Sequence, residues 1–125
     1  MRYRGSCHCG AVAYEVEGEI ESVLACNCSI CERKGALLWF VPRASLKLST
    51  PESASRVYQF NRHVIRHRFC PTCGMHPYAD GTDAKGNAIA AVNVRCIEGR
   101  AREDQGHALR RSFEGMTANQ GRRGR

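Results

Sequence analysis

Seven of the eight cysteines fall into three short clusters, and this feature constrains the chain more than any other. The clusters are Cys7-His8-Cys9, the segment Cys26 to Cys31 with Cys28 inside it, and Cys70-Pro71-Thr72-Cys73-Gly74. Thiols at such short spacings can converge on one metal ion, and two pairs complete a shell of four sulfurs. The remaining three cysteines supply three ligands to a second ion. Zinc with four protein ligands is typically structural, whereas zinc with three keeps a position for water or substrate.

A disulfide framework is the alternative for eight cysteines in a chain of 125 residues. The basic N-terminus is followed by no apolar segment of the kind that directs secretion. No apolar run approaches the roughly 18 residues that cross a bilayer. We therefore expect a single cytoplasmic domain without membrane contact, in a reducing compartment. Clustered cysteines in that setting favour metal ligation over disulfides.

The formal charge of +7 raises the question of a nucleic-acid partner. Residues 110–125 hold five arginines and one acidic residue, whereas residues 1–109 hold 14 basic and 11 acidic residues. The basic character is therefore concentrated near the C-terminus. We predict one domain over residues 1–117 and a basic, disordered tail over residues 118–125. This distribution argues against nucleic acid as the main partner.

Alternation of apolar residues with a period of two, together with one continuous apolar run at residues 36–41, predicts a mainly β, antiparallel fold with little helix. The predicted strands cover residues 11–17, 36–41, 46–48, 55–60, 64–69 and 89–94. The turn-prone residues 61–63 join two of these strands into a hairpin that leads to Cys70. Glycine, aspartate and asparagine predict a loop over residues 80–87. One helical turn is predicted over residues 29–34, with Ser29 as N-cap and Glu32 completing a capping box.

The segment from Cys70 to Cys73, followed by Gly74, has the spacing of a zinc knuckle with both thiolates on one side. A single pair binds a metal weakly, so it needs a second pair from elsewhere in the chain. Cys7 and Cys9 are the natural candidates, lying before the strand predicted at residues 11–17. Closing this site would join the N-terminus to the middle of the chain.

Cys26, Cys28 and Cys31 lie within six residues, so one loop can hold an ion through all three sulfurs. With the fourth position open, three thiolates make the ion a weak Lewis acid that suits a soft sulfur ligand. A fourth protein ligand, such as His67 or His76, would instead make the site structural. Spacing alone leaves both interpretations open. Two cations that would help balance a fourth thiolate, Arg33 and Lys34, follow the cluster directly.

The cysteine motifs resemble those of the glutathione-dependent formaldehyde-activating family, also described as S-(hydroxymethyl)glutathione synthase-like or centromere protein V-like. The matching segments are residues 5–10, 26–31, 67–74, 92–96 and 112–115, in the family's order. The likeness covers residues 3–115.

The resemblance implies several small, coiled antiparallel sheets, similar to the Mss4-like zinc-binding architecture. It implies a structural zinc on Cys7, Cys9, Cys70 and Cys73, and a catalytic zinc on Cys26, Cys28 and Cys31. The implied activity is that of a carbon–sulfur lyase that condenses formaldehyde with glutathione. The candidates for the wall of a substrate pocket beside the catalytic zinc are Trp39, Phe40, His76 and Tyr78.

Two other functions are compatible with the same motifs. The chain could carry glutathione or its aldehyde adducts without turnover, or it could be a structural zinc module whose basic tail binds nucleic acid. Outside the clusters, Cys96 is predicted to be a small buried apolar residue, and His8 is predicted to be exposed.

Overall fold

The computed structural model describes residues 1–26, 28–60 and 64–98, in which eight strands form two antiparallel sheets. The strands are β1 (Arg2–Ser6), β2 (Ala13–Glu17), β3 (Leu38–Pro42), β4 (Leu46–Leu48), β5 (Arg56–Tyr58), β6 (Arg66–Phe69), β7 (Tyr78–Thr82) and β8 (Ala88–Asn93). One sheet has the order β1-β2-β4 and the other the order β3-β8-β7-β6-β5. A short helix, α1 (Ser29–Lys34), precedes β3. The mainly β prediction is confirmed, and two small sheets with grouped cysteines fit the Mss4-like architecture.

One face of the five-stranded sheet shares the main core with the three-stranded sheet. Tyr14 and Val16 of β2, Trp39 of β3, and Val92 of β8 belong to this core and are at most 5% exposed. The Trp39 ring meets the Tyr3 ring edge-on, with centroids 5.7 Å apart. Burying these side chains stabilises the pairing of the sheets, at about 1.5–3 kcal/mol for each large apolar residue.

The other face of the same sheet carries a smaller apolar cluster. Leu38, Ala79 and Ala91 lie on this face because successive residues of a strand point to opposite sides. They pack with Cys31 of α1 and with Ala36, which follows the helix. The short helix region therefore covers the sheet face opposite the main core, and it brings cysteines to that face.

The sequence pattern does not predict strands β1 and β7, because each contains a glycine in close contact with a neighbouring residue. A Cβ on Gly5 would lie 2.5 Å from the buried Tyr14 ring, and one on Gly81 would lie 2.7 Å from the carbonyl oxygen of Val64. Both glycines weaken the strand pattern while meeting this packing requirement. The predicted loop at residues 80–87 is therefore wrong at its start, since β7 runs to Thr82.

The hairpin prediction is confirmed, because β5 pairs with β6 in antiparallel register. Helix α1 has the predicted bounds, but the predicted capping box is wrong. Cys28 is the N-cap, and its carbonyl oxygen accepts a hydrogen bond from the Glu32 amide at 2.9 Å, while Ser29 is the first helical residue. The extended backbone of an N-cap thus falls on a cysteine of the second cluster.

Several predictions fall on residues outside the described ranges. These are the turn at residues 61–63, the segment at 112–115, the domain limit at residue 117 and the tail at 118–125. Among the described residues, no helix is both long enough and apolar enough to cross a membrane.

Candidate metal centres and the adjoining cavity

The sulfurs of Cys7, Cys9, Cys70 and Cys73 lie within 4.8 Å of one another, although the two pairs are far apart in sequence. The Sγ atoms of Cys7 and Cys9 are 3.8 Å apart, and those of Cys9 and Cys70 are 3.6 Å apart. Tetrahedral zinc, with Zn–S distances of about 2.3 Å, requires sulfurs about 3.8 Å from one another. The four-sulfur cluster therefore fits such an ion.

Backbone amides support the thiolate form of this cluster. Thr72 N and Cys73 N donate to Cys70 Sγ at 3.3 and 3.4 Å, and Val12 N donates to Cys7 Sγ at 3.3 Å. A hydrogen bond from the Met75 amide lowers the pKa of the Cys73 thiol to about 6. Gly74 has a φ of +80°, the left-handed conformation that closes the knuckle. These amide donors favour the thiolate at Cys70 and Cys73, which is the form that binds a metal.

The second cluster consists of Cys26, Cys28 and Cys31, whose sulfurs also lie within 4.8 Å of one another. Cys31 is buried in α1, and the other two cysteines are half-buried in the segment that leads into the helix. The Cys28 amide donates to Cys26 Sγ at 3.4 Å. Hydrogen bonds from Cys26 and Cys31 lower the pKa of the Cys28 thiol, and one thiolate is thereby stabilised within the group.

In the described part of the chain, no histidine, aspartate, glutamate or further cysteine joins this three-sulfur cluster within 4.8 Å. His67 and His76, the candidates for a fourth ligand, line the adjoining cavity instead. Their Nδ1 atoms are buried without a hydrogen-bond partner. Burial and the nearby Lys34 cation lower the pKa of His67 to about 4, and the same two causes lower the pKa of His76. Both imidazoles are therefore neutral at neutral pH.

A cavity of about 300 Å³ adjoins the three-sulfur cluster, with Cys28 and Cys31 in its wall. Its floor is the sheet face opposite the main core, where Leu38, Ile89 and Ala91 line it. The cavity thus places an apolar space beside the sulfurs.

The two cations that follow the cluster have different positions. Lys34 lines the cavity, and burial lowers its pKa although the neighbouring thiolates of Cys31, Cys28 and Cys26 oppose that effect. Arg33 is exposed and donates to the Ser29 carbonyl at 2.9 Å. Lys34 is consequently the cation that can influence a group bound in the cavity.

Three of the four residues predicted for the pocket wall line the cavity, namely Phe40, His76 and Tyr78, although the Tyr78 ring itself belongs to the main core. The prediction for Trp39 is wrong, because alternation along β3 turns its ring into the main core. Cys96 is half-buried, and burial raises its thiol pKa to about 11. His8 is exposed, as predicted.

The sequence did not predict most of the apolar residues that line the cavity. Leu38 was inside a predicted strand, and Ile89 and Ala91 were inside another. The alternation along β3 and β8 separates these residues from those of the main core. It gives no sign that a helix and a cysteine cluster cover the second face.

The structure thus combines a mainly β fold, two cysteine clusters that could hold metal ions, and a cavity beside one of these clusters. The chain belongs to the glutathione-dependent formaldehyde-activating enzyme family, whose sequence pattern matches residues 2–113. Its fold is also similar to the crystal structure of a Rhodobacter sphaeroides protein, a structural genomics target. That similarity has a TM-score of 0.70 and 32% sequence identity, over 81% of this chain and 93% of the other.

Proposed function

We propose that the chain is a zinc-dependent carbon–sulfur lyase that joins a small aldehyde to a thiol such as glutathione at its three-cysteine site. The observation that carries this proposal is the convergence of three sulfurs, without a fourth described ligand, at the wall of a cavity. The family description supports the substrate classes. A cytoplasmic location belongs to the same proposal.

The reaction adds a thiol to a carbonyl carbon. The thiol sulfur forms a bond to that carbon, the C=O π bond becomes a C–O single bond, and the S–H proton moves to the oxygen. No electrons are gained or lost overall. Zinc held by Cys26, Cys28 and Cys31 would supply a Lewis-acidic position suited to a sulfur ligand.

The residues of the cavity wall have the properties that the proton transfer needs. His67 and His76 are neutral, and each has a buried Nδ1 atom without a hydrogen-bond partner. A neutral imidazole can accept the thiol proton and return it to the developing alkoxide. The Lys34 ammonium favours negative charge at the oxygen or at the sulfur, because opposite charges attract strongly where water is excluded.

The four-sulfur cluster has the structural role in this proposal. It connects the turn after β1 with the knuckle after β6, and its two cysteine pairs lie more than 60 residues apart. Four thiolates satisfy the ion completely, so this site offers no position for a substrate.

The test is the rate of adduct formation from formaldehyde and glutathione as enzyme concentration is varied, together with metal content. We expect a rate above the uncatalysed reaction and about two zinc ions per chain. Cys28→Ser should lose the added rate and about one ion while keeping the β-sheet circular dichroism. Cys96→Ser, a cysteine outside both clusters, is the matched control.

A rate that does not depend on enzyme concentration would refute the lyase assignment. Saturable glutathione binding by calorimetry without turnover would then identify a carrier. A Cys28→Ser protein that retains full metal content and rate would show that the three-sulfur cluster is not the reaction site.

A further inference from the structure

We infer that the substrate of this site carries an apolar alkyl or aryl group on the reacting carbon or sulfur, and that the cavity beside Cys28 and Cys31 binds this group. The inference rests on the proposed function and narrows its substrate class. It differs from a reaction confined to formaldehyde and glutathione, because neither of those molecules has an apolar side group.

The size of the cavity is the first argument. Its volume of about 300 Å³ corresponds to about ten water molecules at roughly 30 Å³ each. Formaldehyde has two heavy atoms and would occupy a small fraction of that space. A larger group must therefore fill the remainder if water is to be excluded from the reacting centre.

The chemistry of the wall is the second argument. Ten of the 18 described lining residues are alanine, isoleucine, leucine, phenylalanine or tyrosine. Ile30, Ile65 and Ile89 come from three different segments, so apolar side chains border the space from several sides. Each methylene placed against such a wall contributes about 0.8 kcal/mol, which corresponds to about a fourfold gain in affinity.

Two polar side chains of the wall, Asn93 and Asp80, are engaged with the protein itself, whereas His67 and His76 keep buried Nδ1 atoms without a hydrogen-bond partner. The Asn93 side chain accepts from Leu37 N and Arg95 N and donates to the His76 carbonyl. Asp80 is held by arginine side chains, including Arg68 at 3.1 Å. Neither residue is available to recognise the peptide groups of a ligand.

Lys34 is the one lysine or arginine among the described lining residues. Glutathione carries two carboxylates and an ammonium group, and burying an unpaired charge is strongly unfavourable. One lysine can pair with only one of these carboxylates. The tripeptide portion of glutathione therefore fits this cavity poorly, and an apolar group fits it well.

The rim of the cavity has the same character. Phe40 lines the cavity and is 50% exposed. Phe60 also lines it and stacks on the His67 ring with centroids 5.5 Å apart. An exposed aromatic side chain beside an apolar cavity is typical of a surface that binds apolar ligands.

Binding can be tested without turnover by adding benzyl alcohol or S-methylglutathione, neither of which can form the adduct. We expect saturable benzyl alcohol binding by NMR, with shifts at the Ala79 and Ala91 methyl groups, and at least about tenfold weaker S-methylglutathione binding. Ala91→Leu fills the cavity and should abolish binding. Ala88→Leu, the same change at an exposed position of β8, should leave it intact.

Phe40→Ala provides a second variant that leaves the core untouched, and we expect it to weaken benzyl alcohol binding by about threefold or more. Absence of saturable benzyl alcohol binding to the wild-type protein would overturn the inference. Tighter binding of S-methylglutathione, or equal benzyl alcohol binding by Ala91→Leu and wild type, would overturn it as well.

Turnover then shows which substrate carries the apolar group. One series pairs glutathione with formaldehyde, butanal and hexanal, and the other pairs formaldehyde with ethanethiol and benzyl mercaptan. We expect the enhancement over the uncatalysed rate of each pair to rise by about threefold or more between successive members of one series. The series in which the enhancement rises shows whether the aldehyde or the thiol bears the apolar group.

The two proposals fail in different ways. Enhancement with formaldehyde and glutathione that stays flat or falls in both series would overturn the apolar substrate class and leave the lyase assignment standing. No enhancement with any pair would overturn the lyase assignment, while benzyl alcohol binding would still decide the nature of the cavity.

Discussion

Asp80 on β7 is a buried carboxylate, 5% exposed, that several arginines surround. Arg66 and Arg68 contact its Oδ1 atom at 3.2 and 3.1 Å, and Arg43 lies 3.7 Å from Oδ2. Arg68 is itself buried and also reaches Glu52 at 3.1 Å. A buried charge of this kind is stable only while its partners remain in place.

We predict that Asp80→Asn lowers the free energy of unfolding by about 2–4 kcal/mol, because it leaves Arg68 buried without its principal counter-charge. Urea denaturation followed by circular dichroism measures the change. The control is Glu17→Gln in the exposed pair with Arg2, where we expect a loss below about 1 kcal/mol. Equal losses in the two variants would contradict the importance of burial.

At the scale of the element, β7 determines how the segment before β6 approaches the sheet. Gly81 allows the backbone of Val64 and Ile65 to lie directly against β7, where a Cβ would meet backbone atoms at 2.7 and 3.3 Å. Ile65 reaches the cavity from this position. A glycine that weakens the strand locally thus shapes the cavity wall.

Gly81→Ala should destabilise the protein by about 1–3 kcal/mol, because the backbone facing β7 must move away. Amide hydrogen exchange should show the greatest loss of protection along the pairing of β6 with β7. The matched control is Thr82→Ala at the exposed neighbouring position, with an expected change within about 0.5 kcal/mol. Unchanged protection in Gly81→Ala would mean that the contact can relax at little cost.

At the scale of the molecule, the two cysteine clusters occupy different structural contexts. The four-sulfur cluster connects distant segments, whereas the three-sulfur cluster is formed by one short segment on the second face of the five-stranded sheet. Loss of metal from the first should therefore affect the whole fold, and loss from the second should affect mainly the cavity.

We predict that a chelator removes zinc in two phases. About one equivalent should leave early with the sheets intact, and the second should leave together with unfolding, because three ligands hold an ion less firmly than four. Zinc release by a colorimetric indicator, recorded alongside circular dichroism, measures both events. Cys28→Ser should show the late phase alone. A single phase in the wild-type protein would contradict this difference between the sites.

The local features of the fold follow from the amino-acid sequence alone. Cys26, Cys28 and Cys31 are close in space because six residues connect them, and the knuckle at Cys70 forms because Gly74 closes its turn. Apolar patterns located six of the eight described strands, and the helical turn was predicted at the observed bounds of α1 although its capping box was wrong. Short-range geometry depends on few neighbours, so the residue types are sufficient to predict it.

Which face of each strand meets which partner depends on how the sheets pack in three dimensions. Trp39 and Phe40 are adjacent, yet one ring lies in the core and the other at the cavity. Strands β1 and β7 each require a glycine because Tyr14 and Val64 approach them too closely for a Cβ atom. These contacts form only in the folded protein. The cavity wall combines residues from several separate segments. Contacts between distant segments depend on how whole sheets pack, and no single stretch of sequence contains that information.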